Sequence, residues 1–253
     1  MDGRYPRERV ITLYGRMPVL EALLDHRAHV SKVVVAQRAQ GDAIERIVAA
    51  AAARGIAVEW ADAARVTRIS RNGRHDQGVV ADVASPGLHE LDAWMAGRTG
   101  SVALLLLDGL TNPANVGMII RTATAAGLDG VVLPRAGSPD VGPLVVKASA
   151  GVALSATVLR AATSEEASQV LCAAGVVLLG LEASAEHDLW NVVLPDRVAF
   201  VLGNETTGIS AEVVSRLTGT CAIPLARGVD SLNVASAAAV LAFEVARRRR
   251  EPR

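Results

Sequence analysis

Cysteine is almost absent from this chain of 253 residues: Cys172 and Cys221 are its only two and stand far apart, which excludes a disulfide scaffold and a cysteine-ligated zinc site. Lysine is as rare. Lys32 and Lys147 are the only two among 26 basic residues, the other 24 are arginines, and 26 acids balance them to a formal net charge of zero. Bulk charge therefore advertises no polyanionic partner, although residues 1–84 carry 13 basic against 10 acidic side chains and the rest of the chain 13 against 16. Long apolar runs are missing too. The uncharged stretches Val170 to Leu181 and Ser231 to Phe243 fall short of the roughly 20 residues that a membrane-spanning helix needs. The opening residues MDGRYPRERV are charged and hold no apolar segment of the secretory type. A cytoplasmic protein with no membrane partner is the expectation.

The better-known nucleotide signatures are also lacking. Gly-x-Gly occurs nowhere, so there is no dinucleotide fingerprint, and Gly203-Asn-Glu-Thr-Thr-Gly208 has the glycine spacing of a P-loop but is followed by Ile209-Ser210, without the lysine that reaches phosphates. His26, His29, His75, His89 and His187 are scattered with no pair at metal-ligand spacing, and no metal is expected.

What is present is a core: 51% of the residues are hydrophobic, enough for one large or two small folded domains. The first 84 residues alternate short helical and strand patterns, with helices expected over Pro18 to Leu24, Asp42 to Arg54 and Asp62 to Ile69 and strands over Val33 to Ala36, Ile56 to Trp60 and Gly78 to Val83. Ser85-Pro86-Gly87 breaks this pattern, and residues 88–100 read as a polar, partly helical connection. The expected organisation is a small α/β domain over 1–84, a linker over 85–100 and a second domain over 101–253. From Val102 onward, uncharged runs of the buried parallel type (Val102 to Leu107, Gly130 to Leu133, Val176 to Leu181, Val198 to Leu202, Cys221 to Ile223) alternate with helical stretches (Val116 to Ala126, Ser164 to Ala174, Ala211 to Leu217, Leu232 to Arg249). Periodicity alone predicts an open, Rossmann-like α/β sheet.

Three segments of this second region place polar residues where an apolar strand runs into a loop or helix: DGLTNPANVGMIIRTATAAGLDG (108–130), FVLGNETTGIS (200–210) and IPLARGVDSLNVASAAAVLAFE (223–244). Open α/β sheets build ligand sites at such places. In the first segment an asparagine can cap the helix that begins near Asn112 to Asn115, and Arg121 follows six residues after Asn115. Taken alone, Arg121 would be a surface side chain snorkelling over apolar neighbours. Taken alone, Glu205 would be a first-turn acid favourable to a helix dipole, and Ser231 a helix cap.

Together and in this order the three segments resemble motifs 1, 2 and 3 of the SpoU (TrmH) family of RNA ribose 2′-O-methyltransferases, within the SPOUT superfamily. The resemblance implies an α/β domain of mainly parallel sheet whose C-terminal segment forms a deep trefoil knot, S-adenosyl-L-methionine as cofactor, an RNA substrate and a homodimer in which both subunits contribute to each site. Carried over position by position, Asn115 and Arg121 match functional residues, the arginine binding substrate phosphate and acting on the 2′-hydroxyl. Glu205, Ser231 and Asn233 match polar active-site positions, and Gly203, Ile223 and Leu232, with Leu202, Asn204 and Leu225 beside them, match the cofactor pocket. Guanidinium stays protonated, so Arg121 is expected first as a phosphate clamp and stabiliser of the developing alkoxide, with proton acceptance second. One departure is visible: the family commonly has glycine two residues after the Ile-Pro-Met/Leu triplet, where this chain has Arg227 and then Gly228.

The first region carries its own resemblance. Leu13-Tyr14-Gly15-Arg16, Val19-x-Glu21-Ala22-Leu23 and Gln77-Gly78-Val79 look like the ribosomal-protein-like RNA-binding domain of the rRNA guanosine methyltransferases of this family, with Met17 and Asp76 departing from its usual residues. Arg16 and the run Arg65, Arg68, Arg71 and Arg74, which has no acid between Asp62 and Asp76, are the candidate RNA contacts. The resemblance implies methylation of a guanosine ribose in large-subunit (23S) rRNA. A tRNA ribose methyltransferase, an antibiotic-resistance rRNA methyltransferase and a non-catalytic RNA-binding module of ribosome assembly are the alternatives.

Overall fold

The computed structural model describes residues 10–26, 28–85 and 87–250. The reading of the charged N-terminus at positions 1–9 and of Pro86 as a breaker lies outside the described residues.

The chain forms two compact units, the first made of residues 1–87 together with 141–155 and the second of 88–140 with 156–253. In the first unit the elements run β1 (Val10–Tyr14), α1 (Arg16–Leu24), β2 (His29–Ala36), α2 (Asp42–Ala53), β3 (Val58–Ala61), α3 (Ala63–Ser70) and β4 (Val79–Ala84). The sheet order is β1-β4-β2-β3, with β4 antiparallel to both β1 and β2, and β3 parallel to β2. β4 takes the central place because Val79, Val80, Ala81, Val83 and Ala84 are all buried. Its one charged residue, Asp82, receives the Thr12 hydroxyl at 2.8 Å. Helix α2 buries Ile44, Ile47 and Ala51, one face at helical spacing, with Asp42 and Glu45 in its first turn where acids suit the dipole. Asp76, which departs from the family's usual residue, is buried. It accepts from the Thr67 and Ser70 hydroxyls at 3.1 and 3.0 Å and from the Gly78 backbone N–H at 2.9 Å, tying α3 to the turn that leads into β4. Residues 141–155 add α6 (Pro143–Ala148) and a 3-10 turn (Val152–Leu154) to this unit, a grouping that no local sequence pattern announces.

The second unit is built on seven strands: β5 (Leu88–Glu90), β6 (Val102–Leu107), β7 (Gly130–Val132), β8 (Val158–Arg160), β9 (Val177–Leu181), β10 (Arg197–Leu202) and β11 (Gly219–Cys221). Their order is β11-β9-β10-β6-β7-β8-β5, and every described pair is parallel. Strand β6, VALLLL, is buried at all six positions, as an uncharged run between two helical layers should be; full burial of each leucine contributes about 2 kcal/mol. The helices are α4 (Leu91–Met95), α5 (Pro113–Ala126), α7 (Ser164–Ala173), α8 (Ala211–Val214) and α9 (Val234–Arg250). Asn112 caps α5, accepting from the Ala114 N–H at 2.9 Å, Pro113 occupies the first turn, and Gly127 closes the helix at a φ of 80°. Residues 88–95, read from the sequence as connection, instead form the edge strand β5 beside β8 and the short α4, whose Leu91 and Met95 enter the core. A three-residue strand followed by one helical turn is too short for periodicity to reveal.

The C-terminal part is locked beside an earlier loop. Ala222 donates to the His187 carbonyl at 2.9 Å and Leu189 donates back to the Ala222 carbonyl at 2.7 Å, while the Arg248 guanidinium on α9 reaches the carbonyls of Leu189 and Val192. Glu244, only 8% exposed, aligns that arginine: it accepts from Arg247 Nε at 2.8 Å and Arg248 Nε at 2.6 Å. Hydrogen bonds from Arg247, and then from Arg248, hold the Glu244 carboxyl down at about 2 from an ordinary 4.5. A depressed carboxyl stabilises the fold above the unfolded value and loses that contribution as pH falls through the folded one. Glu244→Gln should therefore lower the unfolding free energy at pH 7 by about 1–3 kcal/mol, less than a fully buried pair because Arg247 is half exposed. Denaturant titrations should show the gap to wild type closing between pH 4.5 and pH 2, the interval of this shift.

Candidate active site

Because β6, β10, β9 and β11 are parallel and adjacent, their C-terminal ends open on one edge of the sheet, and a cleft lies there. Its floor is Leu181-Glu182-Ala183 after β9, Leu202-Gly203 after β10, and Ile223 and Leu225 after β11; Glu205 and the start of α9 (Ser231, Leu232, Val234, Ala237) complete the lining. Five of the six residues expected to bind cofactor, Leu202, Gly203, Ile223, Leu225 and Leu232, line this cleft, and so do Glu205 and Ser231. The β9 end was not anticipated; its only signal was an apolar strand running into an acid. The lining holds two carboxylates, Glu182 and Glu205, and no lysine, arginine or histidine. Such a pocket suits an apolar ligand with hydroxyl, amino or cationic groups and offers nothing to a di- or triphosphate.

A short hydrogen-bond chain ties the three segments together. Asn115, buried on the first turn of α5, donates from Nδ2 to Glu205 Oε1 at 2.6 Å and accepts at Oδ1 from Asn233 Nδ2 at 3.2 Å. Asn233 uses its own Oδ1 to cap α9, accepting from the Ala235 and Ser236 N–H groups at 2.9 and 3.4 Å. The cap is therefore Asn233, which frees Ser231 to face the cleft. The result is a carboxylate of fixed orientation at the end of β10, held by two amides whose rotamers are themselves fixed.

The loop after β10 is equally constrained. Asn204 does not line the cleft: its Oδ1 accepts from the Thr206 and Thr207 N–H groups at 2.8 and 3.2 Å, and its Nδ2 reaches the Gly109 carbonyl at 2.8 Å. Asp108, at the end of β6, accepts the Ser210 N–H at 2.7 Å and so pins the far end of the same loop. Gly203 is required by this return. A Cβ there would lie 2.4 Å from Gly208 C and 2.5 Å from Ile209 N, so the space is filled by the loop's own backbone rather than by a ligand. In the loop before α9, Arg227 has a φ of 59° and Gly228 of 72°. The position where the family commonly has glycine thus keeps the left-handed conformation that glycine favours, and the chain places an exposed arginine in it.

Arg121 stands apart from this cluster. Six residues beyond Asn115 on the same helix, it lies roughly 9 Å along the axis and about 120° around from it, exposed and without a partner among the described residues. It shares its stripe of α5 with Met118, 40% exposed. Cys221 carries no chemistry, since burial pushes its thiol up to about 11. No metal-binding group of three or more His, Cys, Asp or Glu occurs among the described residues.

In the first unit, Arg16 is taken up by structure: its Nη1 reaches the Gln40 carbonyl at 3.1 Å and its Nε the Gln77 carbonyl at 3.3 Å. Arg65 pairs with Glu59 at 2.5 Å, and Lys32 joins the same carboxylate at 3.0 Å. Arg68, Arg71 and Arg74 are exposed, Arg71 ending α3 at a φ of 53°.

Residues 103–243 match the SpoU rRNA Methylase family. The chain belongs to that family. Residues 12–88 match the family described as RNA 2′-O ribose methyltransferase substrate binding, so this SpoU protein is an RNA 2′-O-methyltransferase by both parts of its chain. It is 32% identical over 193 residues to the 23S rRNA (guanosine-2′-O-)-methyltransferase RlmB of Neisseria meningitidis serogroup B, covering 76% of this chain and 77% of that one. Among solved structures it is similar to the AdoMet-bound rRNA methyltransferase of Sinorhizobium meliloti (27% identity, TM-score 0.67, 96% and 89% of the two chains). It is similar also to the SpoU methyltransferase AviRb of Streptomyces viridochromogenes in complex with AdoMet (25% identity, TM-score 0.69, 98% and 93%).

The backbone contact at Gly203 yields a direct test. Gly203→Ala should lower the stability of the ligand-free protein by about 1–3 kcal/mol and weaken cofactor binding with it, because the loop that carries Glu205 must shift. Calorimetric unfolding reads the first effect, and an unchanged midpoint would show that the loop yields freely.

Proposed function

We propose that this SpoU methyltransferase uses S-adenosyl-L-methionine to methylate a guanosine ribose in 23S rRNA, and that it works as a cytoplasmic homodimer. The single observation that carries the reading is the cleft at the ends of β9, β10 and β11, acid-bearing and free of basic groups. A ligand with a purine, ribose hydroxyls and a net positive charge fits that lining. When bound, the cofactor supplies an activated methyl group on a sulfonium. The protein's part is then to place a ribose hydroxyl in line with it and to dispose of the hydroxyl proton. Glu205, oriented by Asn115 and Asn233, stands at the edge of the cleft nearest α5 and orients the reacting end of the ligand. Ser231, which also lines the cleft, offers a hydroxyl to its polar groups.

Arg121 completes the site from a second subunit. Its distance around α5 from Asn115 and its lack of a partner among the described residues support this, as do two exposed apolar side chains on the packed helices α5 and α9, Met118 and Phe243, the latter 54% exposed. Residues 187–192, bonded to Ala222 on one side and to Arg248 of α9 on the other, support a C-terminal segment threaded as a trefoil knot. RNA enters over the first unit, whose Arg68, Arg71 and Arg74 are exposed and without a side-chain partner among the described residues, open to phosphate contacts, with Arg65 divided between RNA and Glu59 and Arg16 shaping the adjoining loops. The resemblance to RlmB favours rRNA over tRNA.

Two measurements test this. Methylation of total RNA with labelled cofactor, followed by mapping, should place the label in 23S rRNA; label confined to tRNA would overturn the substrate. Arg121→Ala should leave cofactor affinity near wild type while methyl transfer falls by about 10²-fold or more, and near-normal turnover would return Arg121 to an ordinary surface residue.

A further inference from the structure

Glu182 is the one charged group of the cleft that the three motifs do not contain. It follows β9 directly, and the register pairs Val201 with Gly180 on one side and Cys221 with Leu181 on the other. Continued by one or two residues, that register sets Glu182 beside Gly203 and Ala222, each about 4.8 Å away across the sheet, in the middle of the cleft floor. Its backbone is fixed, the N–H donating to the Cys221 carbonyl at 3.0 Å. Its carboxylate lines the cleft half-buried and has no hydrogen-bond or salt-bridge partner among the described residues, whereas Glu205 is held by Asn115.

We propose that Glu182 binds the ribose cis-diol of the cofactor, its two carboxylate oxygens accepting from the 2′- and 3′-hydroxyls. This rests on the cofactor reading above. Three considerations select the diol. On the reading above, the reacting end of the ligand is oriented by Glu205, which Asn115 holds on the β6 side of β10, so the part over β9 is its nucleoside. Ile223, Leu225 and Leu232 around the outer cleft offer apolar contact to a purine and no counter-charge. A carboxylate at the end of the strand next to a glycine turn is also the device by which parallel-sheet nucleotide folds hold ribose hydroxyls, and an acceptor-only group with two oxygens matches two adjacent donors.

The test uses S-adenosylhomocysteine and its 2′,3′-dideoxy analogue as probes in titration calorimetry of the full chain, so that no methyl transfer is involved. Wild type should bind the parent compound about ten- to a hundredfold more tightly than the dideoxy analogue, the range for hydrogen bonds to a charged group. Glu182→Ala should bind both compounds alike, at the affinity wild type has for the analogue, and Glu182→Gln, which keeps one acceptor oxygen, should retain part of the preference. That unchanged analogue affinity also shows the variant to be folded. A Glu182→Ala protein that still prefers the parent compound, or that loses affinity for both compounds equally, would overturn the assignment. Wild type binding neither compound would overturn the cofactor reading itself.

Discussion

Strands β6 and β10 run parallel and in register over six residue pairs, from Val102 beside Arg197 to Leu107 beside Leu202, and apart from Arg197 both are apolar and buried. Nothing along them can hold a polar ligand, so the polar groups of the site lie at their C-terminal ends, where the chain turns sharply. Those turns would be mobile on their own. They are joined instead to one another: Asp108 to the Ser210 N–H, Asn204 to the Gly109 carbonyl, Asn115 to Glu205, and Asn233 to Asn115. The site is thus a set of loops made rigid by cross-loop bonds on a rigid sheet, which is what positioning of a methyl donor requires. Gly203 belongs to the same constraint, since the loop folds back so tightly that its own backbone fills the side-chain position.

The uncharged runs of the second unit were legible because a parallel strand buried on both faces has a signature of its own. Their order in the sheet was not, and neither was β5, whose three residues gain meaning only from pairing with β8. Of the site, the residues inside the three polar segments could be named from their types and order, while their division of labour could not. Asn204 and Asn115 look alike in sequence; one closes its own loop and the other reaches Glu205 across 90 residues. Ser231 and Asn233 are both plausible caps, and only the geometry assigns the cap to Asn233. Glu182 is not legible in the sequence, because a single acid after an apolar strand has no pattern of its own.

Charge tells a parallel story. The arginines of α9 could pass for a basic tail, yet Arg248 is an internal tie whose direction is set by buried Glu244, and Arg249 pairs with Asp129 at 3.0 Å. In the first unit Arg16 and Arg65 are likewise engaged by protein groups. Arg121 on α5, Arg227 in the loop before α9 and the exposed group around Arg71 have no side-chain partner among the described residues, which leaves their guanidinium groups open to solvent. Net charge of zero conceals this because the paired and the unpaired cations are not distinguished by counting.

The most direct measurement of the account is the position of the transferred methyl group. RNA methylated with tritium-labelled S-adenosyl-L-methionine and then hydrolysed in alkali separates the possibilities, because strand cleavage needs a free 2′-hydroxyl. The account predicts label in alkali-resistant dinucleotides, lost when Glu205 or Arg121 is replaced by alanine. Label released as mononucleotides would mean that a base is the acceptor, and would contradict it.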